Sequence, residues 1–70
     1  MERTIVSSSN IYSIGYDSYS KTLEVQFHTG SIYQYYNVPQ SVYSGIMSAS
    51  SHGSYLHNYV KGVYQYKQVA

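Results

Sequence analysis

The chain has no cysteine, no tryptophan and a single proline, and only 10% of its 70 residues are charged. Without cysteine, no disulfide can reinforce the fold. A domain below roughly 80 residues draws only about 3–5 kcal/mol from its core, so good packing or oligomerisation has to supply the rest. No long apolar run is present. Uncharged stretches such as His28 to Val60 are full of Ser, Tyr, Asn and Gln, whereas a spanning helix takes about 20 mostly apolar residues. The start, Met1-Glu2-Arg3-Thr4-Ile5-Val6, lacks the basic region and apolar run of a secretory signal. A cytoplasmic location and no membrane partner are therefore expected. Scarce charge also argues against disorder: 43% hydrophobic residues and a net charge of +1 describe a chain that collapses.

What the sequence has is tyrosine, eleven of them. With so few charges, much of the surface must be phenol, serine hydroxyl and amide, a surface suited to association. The length predicts one domain over residues 1–70.

Ile11-Tyr12-Ser13-Ile14-Gly15-Tyr16 reads as a short strand, bounded by Ser7-Ser8-Ser9-Asn10 before it and the turn-prone Asp17-Ser18-Tyr19-Ser20 after it. In Thr22-Leu23-Glu24-Val25-Gln26-Phe27 the alternation puts Leu23, Val25 and Phe27 on one face and Thr22, Glu24 and Gln26 on the other. His28-Thr29-Gly30 then leads into Ser31-Ile32-Tyr33-Gln34-Tyr35-Tyr36, which makes a hairpin. A two-residue Thr29-Gly30 loop of type I′ would force positive φ on a β-branched residue. A three-residue loop with Gly30 left-handed asks for glycine only where glycine stands. That register pairs Phe27 with Ser31, Val25 with Tyr33 and Leu23 with Tyr35, and places both tyrosines on the apolar face. Glu24, Gln26, Ile32, Gln34 and Tyr36 then face away.

Val38-Pro39 ends the strand, and a helix is predicted from Pro39 to Ala49, with Val42, Tyr43, Ile46 and Met47 as one apolar stripe. A second helix should run from a Ser50 or Ser51 cap through Tyr55, Leu56, Tyr59 and Val60 to Lys61 and Gly62. The tail Val63–Val69 alternates and reads as a fourth strand or an extended segment. The predicted fold class is α+β, a small antiparallel sheet of three to four strands with two short helices packed on one face.

Taken in order, Val6, Ser8-Ser9, Ile11, Ile14-Gly15-Tyr16-Asp17, Leu23-Glu24-Val25, Phe27, Gly30, Tyr33-Gln34-Tyr35, Val38-Pro39, Val42-Tyr43 and Ser51-His52-Gly53-Ser54-Tyr55 form a pattern that resembles the KTSC domain. The resemblance covers nearly the whole chain. That family takes its name from the C-terminal domain of some lysyl-tRNA synthetases and also occurs as free-standing small proteins. The resemblance implies a connection to RNA through the synthetases and carries over no established activity. The chain departs from the usual pattern at Leu56-His57, where an aromatic and Asn are common, and at Gln65, where proline often stands.

Catalysis is not expected. Only Glu2, Asp17 and Glu24 carry carboxylates, and Glu24 on a strand's polar face reads as a solvated side chain. His28, His52 and His57 lack the i, i+4 spacing of a helical metal pair, and no cysteine completes a site. Neither a metal nor a cofactor is expected. Strand-borne tyrosines can form a stacking platform for bases. Arg3, Lys21, Lys61 and Lys67 are the only fixed cations and are scattered, which weighs against a long RNA. A small nucleotide needs only stacking rings, hydroxyl and amide donors and one or two cations.

The candidate ligand site is Tyr33, Tyr35, Tyr43, Ser51, Gly53, Tyr55 and Lys61, around a gap between sheet and helices. Against this stands a plainer reading, in which Tyr33 and Tyr35 are core tyrosines and Ser51 is only a helix cap. In so short a chain a ligand site would form more naturally between subunits, with Tyr36, Tyr64 and Tyr66 supplying the interface. The expected function is a non-catalytic, homo-oligomeric module that binds a small nucleotide or another aromatic ligand. Its most concrete form is a viral protein that sequesters a signalling nucleotide in the host cytoplasm. The alternatives are an RNA- or tRNA-contacting accessory module and a protein–protein interaction module.

Overall fold

In the computed structural model, which describes residues 1–70, five strands and two helices follow one another as β1 (Arg3–Ile5), β2 (Ile11–Asp17), β3 (Thr22–Phe27), β4 (Ile32–Tyr35), α1 (Gln40–Ser48), α2 (His52–Tyr59) and β5 (Tyr66–Gln68). The strands form one antiparallel sheet in the order β1-β2-β3-β4-β5. The sheet therefore has five strands where three to four were expected. The tail supplies the fourth strand as expected, over Tyr66–Gln68, and β1 is the addition. Arg3-Thr4-Ile5 pairs with β2 although its sequence has no turn-bounded alternation of its own, and three residues of the tail pair with β4.

The β3–β4 hairpin has the three-residue register. Leu23 lies opposite Tyr35 and Val25 opposite Tyr33, the Phe27 amide donates to the Ser31 carbonyl at 2.9 Å, and Gly30 takes φ +96°. The loop needs a left-handed residue at one position only, and glycine occupies it at no steric cost. At the other end of β3, the Asp17 carboxylate accepts from the Tyr19 amide at 3.0 Å and the Ser20 hydroxyl at 2.9 Å, closing the β2–β3 turn. These hydrogen bonds, the Ser20 hydroxyl first, hold the Asp17 pKa below its ordinary value.

A bulge in β2 resolves a conflict of phase. Ile11 and Ile14 are an odd number of residues apart, so a regular strand would send them to opposite faces. Ile11 pairs with Phe27 and Ser13 with Gln26, which leaves Tyr12 as an extra residue. The bulge shifts the phase by one, and both isoleucines become fully buried.

Both helices cover the same sheet face. Pro39 caps α1 rather than occupying its first turn, and Ile46 is the fully buried member of the predicted stripe, with Val42, Tyr43 and Met47 half-buried. Ser51 caps α2, its Oγ accepting from the Ser54 amide at 3.2 Å. Gly45 lets the helices approach each other, because a Cβ there would overlap the Tyr55 hydroxyl. The core is Ile11, Ile14, Leu23, Val25, Tyr35, Val38, Ile46, Leu56 and Val60.

The opposite face of the sheet carries no helix, yet Glu24 on it is not solvated as expected. It is only 8% exposed. Arg3 from β1 forms an ion pair with it, and Gln34 Nε2 donates to its other oxygen at 2.8 Å. The same guanidinium reaches Ser13 Oγ at 3.0 Å and Gln26 Oε1 at 3.1 Å. Burial alone would raise the Glu24 pKa, but the hydrogen bonds from Gln34 and Arg3 and the charge of Arg3 together outweigh it and leave the carboxyl below its usual range. The expectation failed because the cation that covers Glu24 comes from β1, the strand that the sequence concealed.

Candidate functional site

The predicted site residues do not converge on one gap. Tyr33, Tyr35 and Lys61 come together with Phe27, Gly62 and Tyr66 in a groove of about 580 Å³. Hairpin register puts Phe27 and Tyr33 on the helix-covered face, and the two rings meet edge to face with centroids 5.7 Å apart. The Tyr66 ring, brought in by β5, lies 5.9 Å from both the Tyr33 and Tyr35 rings. Lys61 follows α2, and its Nζ stands 5.5 Å from the centroid of Phe27, within range of a cation–π contact. Gly62 turns the chain with φ +79° immediately after it.

The two central tyrosines differ. Tyr35 is a core residue, 3% exposed, whose edge reaches the groove. Burial, reinforced by the neighbouring Tyr33 and Tyr66 phenols, pushes its pKa above the ordinary tyrosine value. Tyr33 is half-buried, and its hydroxyl donates to Gln68 Oε1 at 3.2 Å. Tyr33 thus presents a ring to the groove, while Tyr35 mainly fills the core beneath it.

Ser51 and Gly53 lie in a second hollow, a polar cleft of about 500 Å³ between the Ser7–Asn10 loop and α2, and Lys61 lines this one too. Tyr43 and Tyr55 belong to neither. Tyr43 stacks on Tyr16 at 5.0 Å with an interplanar angle of 11°, and the Tyr16 hydroxyl donates to the Val38 carbonyl. Tyr55 packs over Gly45 and against Tyr59. Both are structural tyrosines of the helix layer. Of the three tyrosines expected at an interface, Tyr66 is 62% exposed. Tyr36 and Tyr64 are half-buried, because the Tyr36 hydroxyl donates to Gln34 at 3.1 Å and Tyr64 packs on the core.

Phe27, Gly62 and Tyr66 are the groove residues absent from the prediction, and Gly62 entered it only as the stop of the second helix. Phe27 was recoverable, since the register sets it opposite Ser31, a side chain too small to cover an aromatic ring. Tyr66 depended on the pairing of β5 with β4, and the alternation of the tail alone could not show that.

The environment of Lys61 can hold an anion beside a stacked ring, and no helix is long and apolar enough to cross a membrane. The model of the KTSC domain matches residues 7–66. A KTSC domain protein from Yersinia pestis, known from its crystal structure, superposes with a TM-score of 0.95 at 39% identity, over 99% of this chain and 97% of that one. A protein from Stutzerimonas stutzeri is 36% identical over 61 residues, 87% of this chain and 86% of that protein. A lysine–tRNA ligase from Trichormus variabilis is 38% identical over 55 residues, 79% of this chain. The chain spans only 10% of the length of that ligase and 11% of a second from Nostoc, so the likeness concerns one small region of each enzyme. With a match over most of its length and the same fold at this identity, the chain belongs to the KTSC domain family.

Proposed function

We propose that the protein is a non-catalytic binding module that takes a small nucleotide-type ligand, an aromatic ring carrying negative charge, into the groove between Phe27, Tyr33 and Tyr66. One observation carries this reading: three aromatic rings and the edge of a fourth meet beside a single lysine, in a hollow of about 580 Å³. That volume lies in the range of about 300–1,000 Å³ usual for small-ligand sites. The rings supply stacking surface and Lys61 supplies the charge. The exposure of Val63 and Tyr66, both 62%, supports a second copy closing the mouth of the groove. Sequestration of a signalling nucleotide by a viral chain is the most specific version of the same reading.

Calorimetry with a panel of mono-, di- and cyclic nucleotides tests it, with native mass spectrometry for the subunit count. Base–aromatic stacking is worth about 1–3 kcal/mol per base, so Tyr66→Ala should weaken binding by roughly 5- to 150-fold, and Lys61→Ala should weaken the phosphorylated ligands selectively. Absence of heat with every nucleotide, or an unchanged affinity in Tyr66→Ala, overturns the reading.

The ligase relatives favour a second reading, a tRNA-contacting accessory module. Arg3 is engaged by Glu24, which leaves Lys21, Lys61 and Lys67 for a polyanion. This reading requires affinity for tRNA that falls steeply with salt, and flat salt dependence excludes it.

A further inference from the structure

The aromatic groove and the polar cleft share one lining residue, Lys61, and the loop wall of the cleft is tied to the strand that carries Phe27. The Asn10 carbonyl on the loop wall of the cleft accepts from the His28 amide at 2.9 Å, and His28 adjoins Phe27, a wall of the groove. The Ser8 carbonyl is held by His28 Nε2 at 2.8 Å, which fixes the loop wall in place. From these contacts we infer that groove and cleft form one track with Lys61 at its middle, and that the ligand has two parts: an aromatic ring joined through phosphate to a second, hydroxyl-rich group. The inference rests on the nucleotide reading of the groove and adds what the cleft selects.

The chemistry of the two halves differs accordingly. The groove presents ring faces and edges, whereas no hydrophobic side chain lines the cleft. Some of its polar groups are already occupied. Ser51 Oγ accepts from the Ser54 amide at 3.2 Å, and Ser8 Oγ accepts from the Asn10 and Ile11 amides at 3.3 and 3.2 Å. His57 and Asn58 on α2 are exposed and stand four and three residues before Lys61, which makes them the cleft side chains nearest to it along the chain. An imidazole and a carboxamide together donate and accept, which is what vicinal hydroxyls require. A base held among Phe27, Tyr33 and Tyr66 would bring its phosphate to Lys61 and direct the attached group towards His57 and Asn58. A mononucleotide would leave the cleft to water.

The test compares matched pairs by calorimetry: ADP with ADP-glucose, GDP with GDP-mannose, and UDP with UDP-glucose. At least one sugar conjugate should bind about tenfold or more tightly than its parent diphosphate. His57→Ala and Asn58→Ala, both at exposed positions, should remove that advantage and leave the parent's affinity unchanged. Tyr66→Ala should weaken both members of the pair. If conjugates and parents bind equally and the cleft variants change nothing, the two-part ligand is wrong while the nucleotide reading of the groove stands. If neither member of any pair binds, the nucleotide reading falls and this inference falls with it.

Discussion

The two faces of the sheet are held by different physics. On the helix-covered face, Ile14, Leu23 and Val25 are fully buried with no polar neighbour to satisfy, and their contribution follows from apolar area removed from water. The open face has no second layer. Its central side chain is the Glu24 carboxylate, bonded by the Arg3 guanidinium and the Gln34 amide, with Gln26 and Ser13 on the guanidinium and Tyr36 at the margin. A small domain without a disulfide can thus close an uncovered sheet face with a satisfied hydrogen-bond network instead of a second core.

The largest effect should come from the apolar face. Leu23→Ala removes a fully buried side chain, and such truncations cost about 2–5 kcal/mol. A core of this size supplies only about 3–5 kcal/mol, so the truncation should remove most of the folding free energy and lower the urea midpoint sharply. Far-UV circular dichroism with urea titration reads this directly. A variant that keeps its urea midpoint would mean that association, not this core, holds the fold.

A smaller effect of a different kind should come from the polar face. Arg3→Ala leaves Glu24 beneath its neighbours without a cation. Breaking a fully buried pair costs about 3–5 kcal/mol, but the Arg3 side chain is 26% exposed and that of Glu24 11%, so water recovers part of the loss and about 1–3 kcal/mol is expected. The signature is its pH dependence. Because the folded-state pKa of Glu24 is lowered, its stabilisation is complete above the unfolded value of about 4.3 and is lost as pH falls through the folded value. Without Arg3, its hydrogen bond and its charge no longer oppose burial and that pKa moves up, so the loss of stability on acidification should begin at higher pH. Glu24→Gln in the Arg3→Ala background should restore part of the stability and flatten the profile. An acid limb of Arg3→Ala that matches the parent would show that Arg3 does not govern this carboxylate.

The same contrast separates the features legible in the sequence from those that were not. Alternation along Thr22–Phe27 and the position of Gly30 were sufficient for the β3–β4 register, because both are local and a slip by one residue would turn Tyr33 and Tyr35 to the face of Glu24 and Gln26. The helices were legible for the same reason, from the Val42–Met47 stripe and the Ser51 cap. The polar face was not, since Arg3 and Glu24 are 21 residues apart and belong to strands that β2 separates. The groove falls between these cases. Tyr33, Tyr35 and Lys61 followed from local pattern, whereas Tyr66 required a pairing across both helices, and Tyr43 and Tyr55 were misplaced because a helical stripe does not say which aromatic finds a partner ring.

The smallest effect should appear at the margin of the polar network. The Tyr36 hydroxyl donates to Gln34 Oε1 at 3.1 Å, while Nε2 of the same amide donates to Glu24. Tyr36→Phe removes a neutral donor and leaves the ring. A hydrogen bond of this kind contributes about 0.5–1.5 kcal/mol, and because Tyr36 and Gln34 are half-buried, water can replace the lost donor and hold the cost near the lower end. The effect on acid stability depends on what holds the Gln34 amide in its orientation. If the contact to Glu24 fixes it, Tyr36→Phe should lower the urea midpoint slightly and leave the acid limb where it is. If Tyr36 is what keeps Nε2 turned towards Glu24, the amide can rotate once the phenol is gone, Glu24 loses a donor, and the acid limb should move up in the direction of Arg3→Ala. The geometry favours the first outcome, because a carboxylate attracts an N–H more strongly than a phenol attracts a carbonyl.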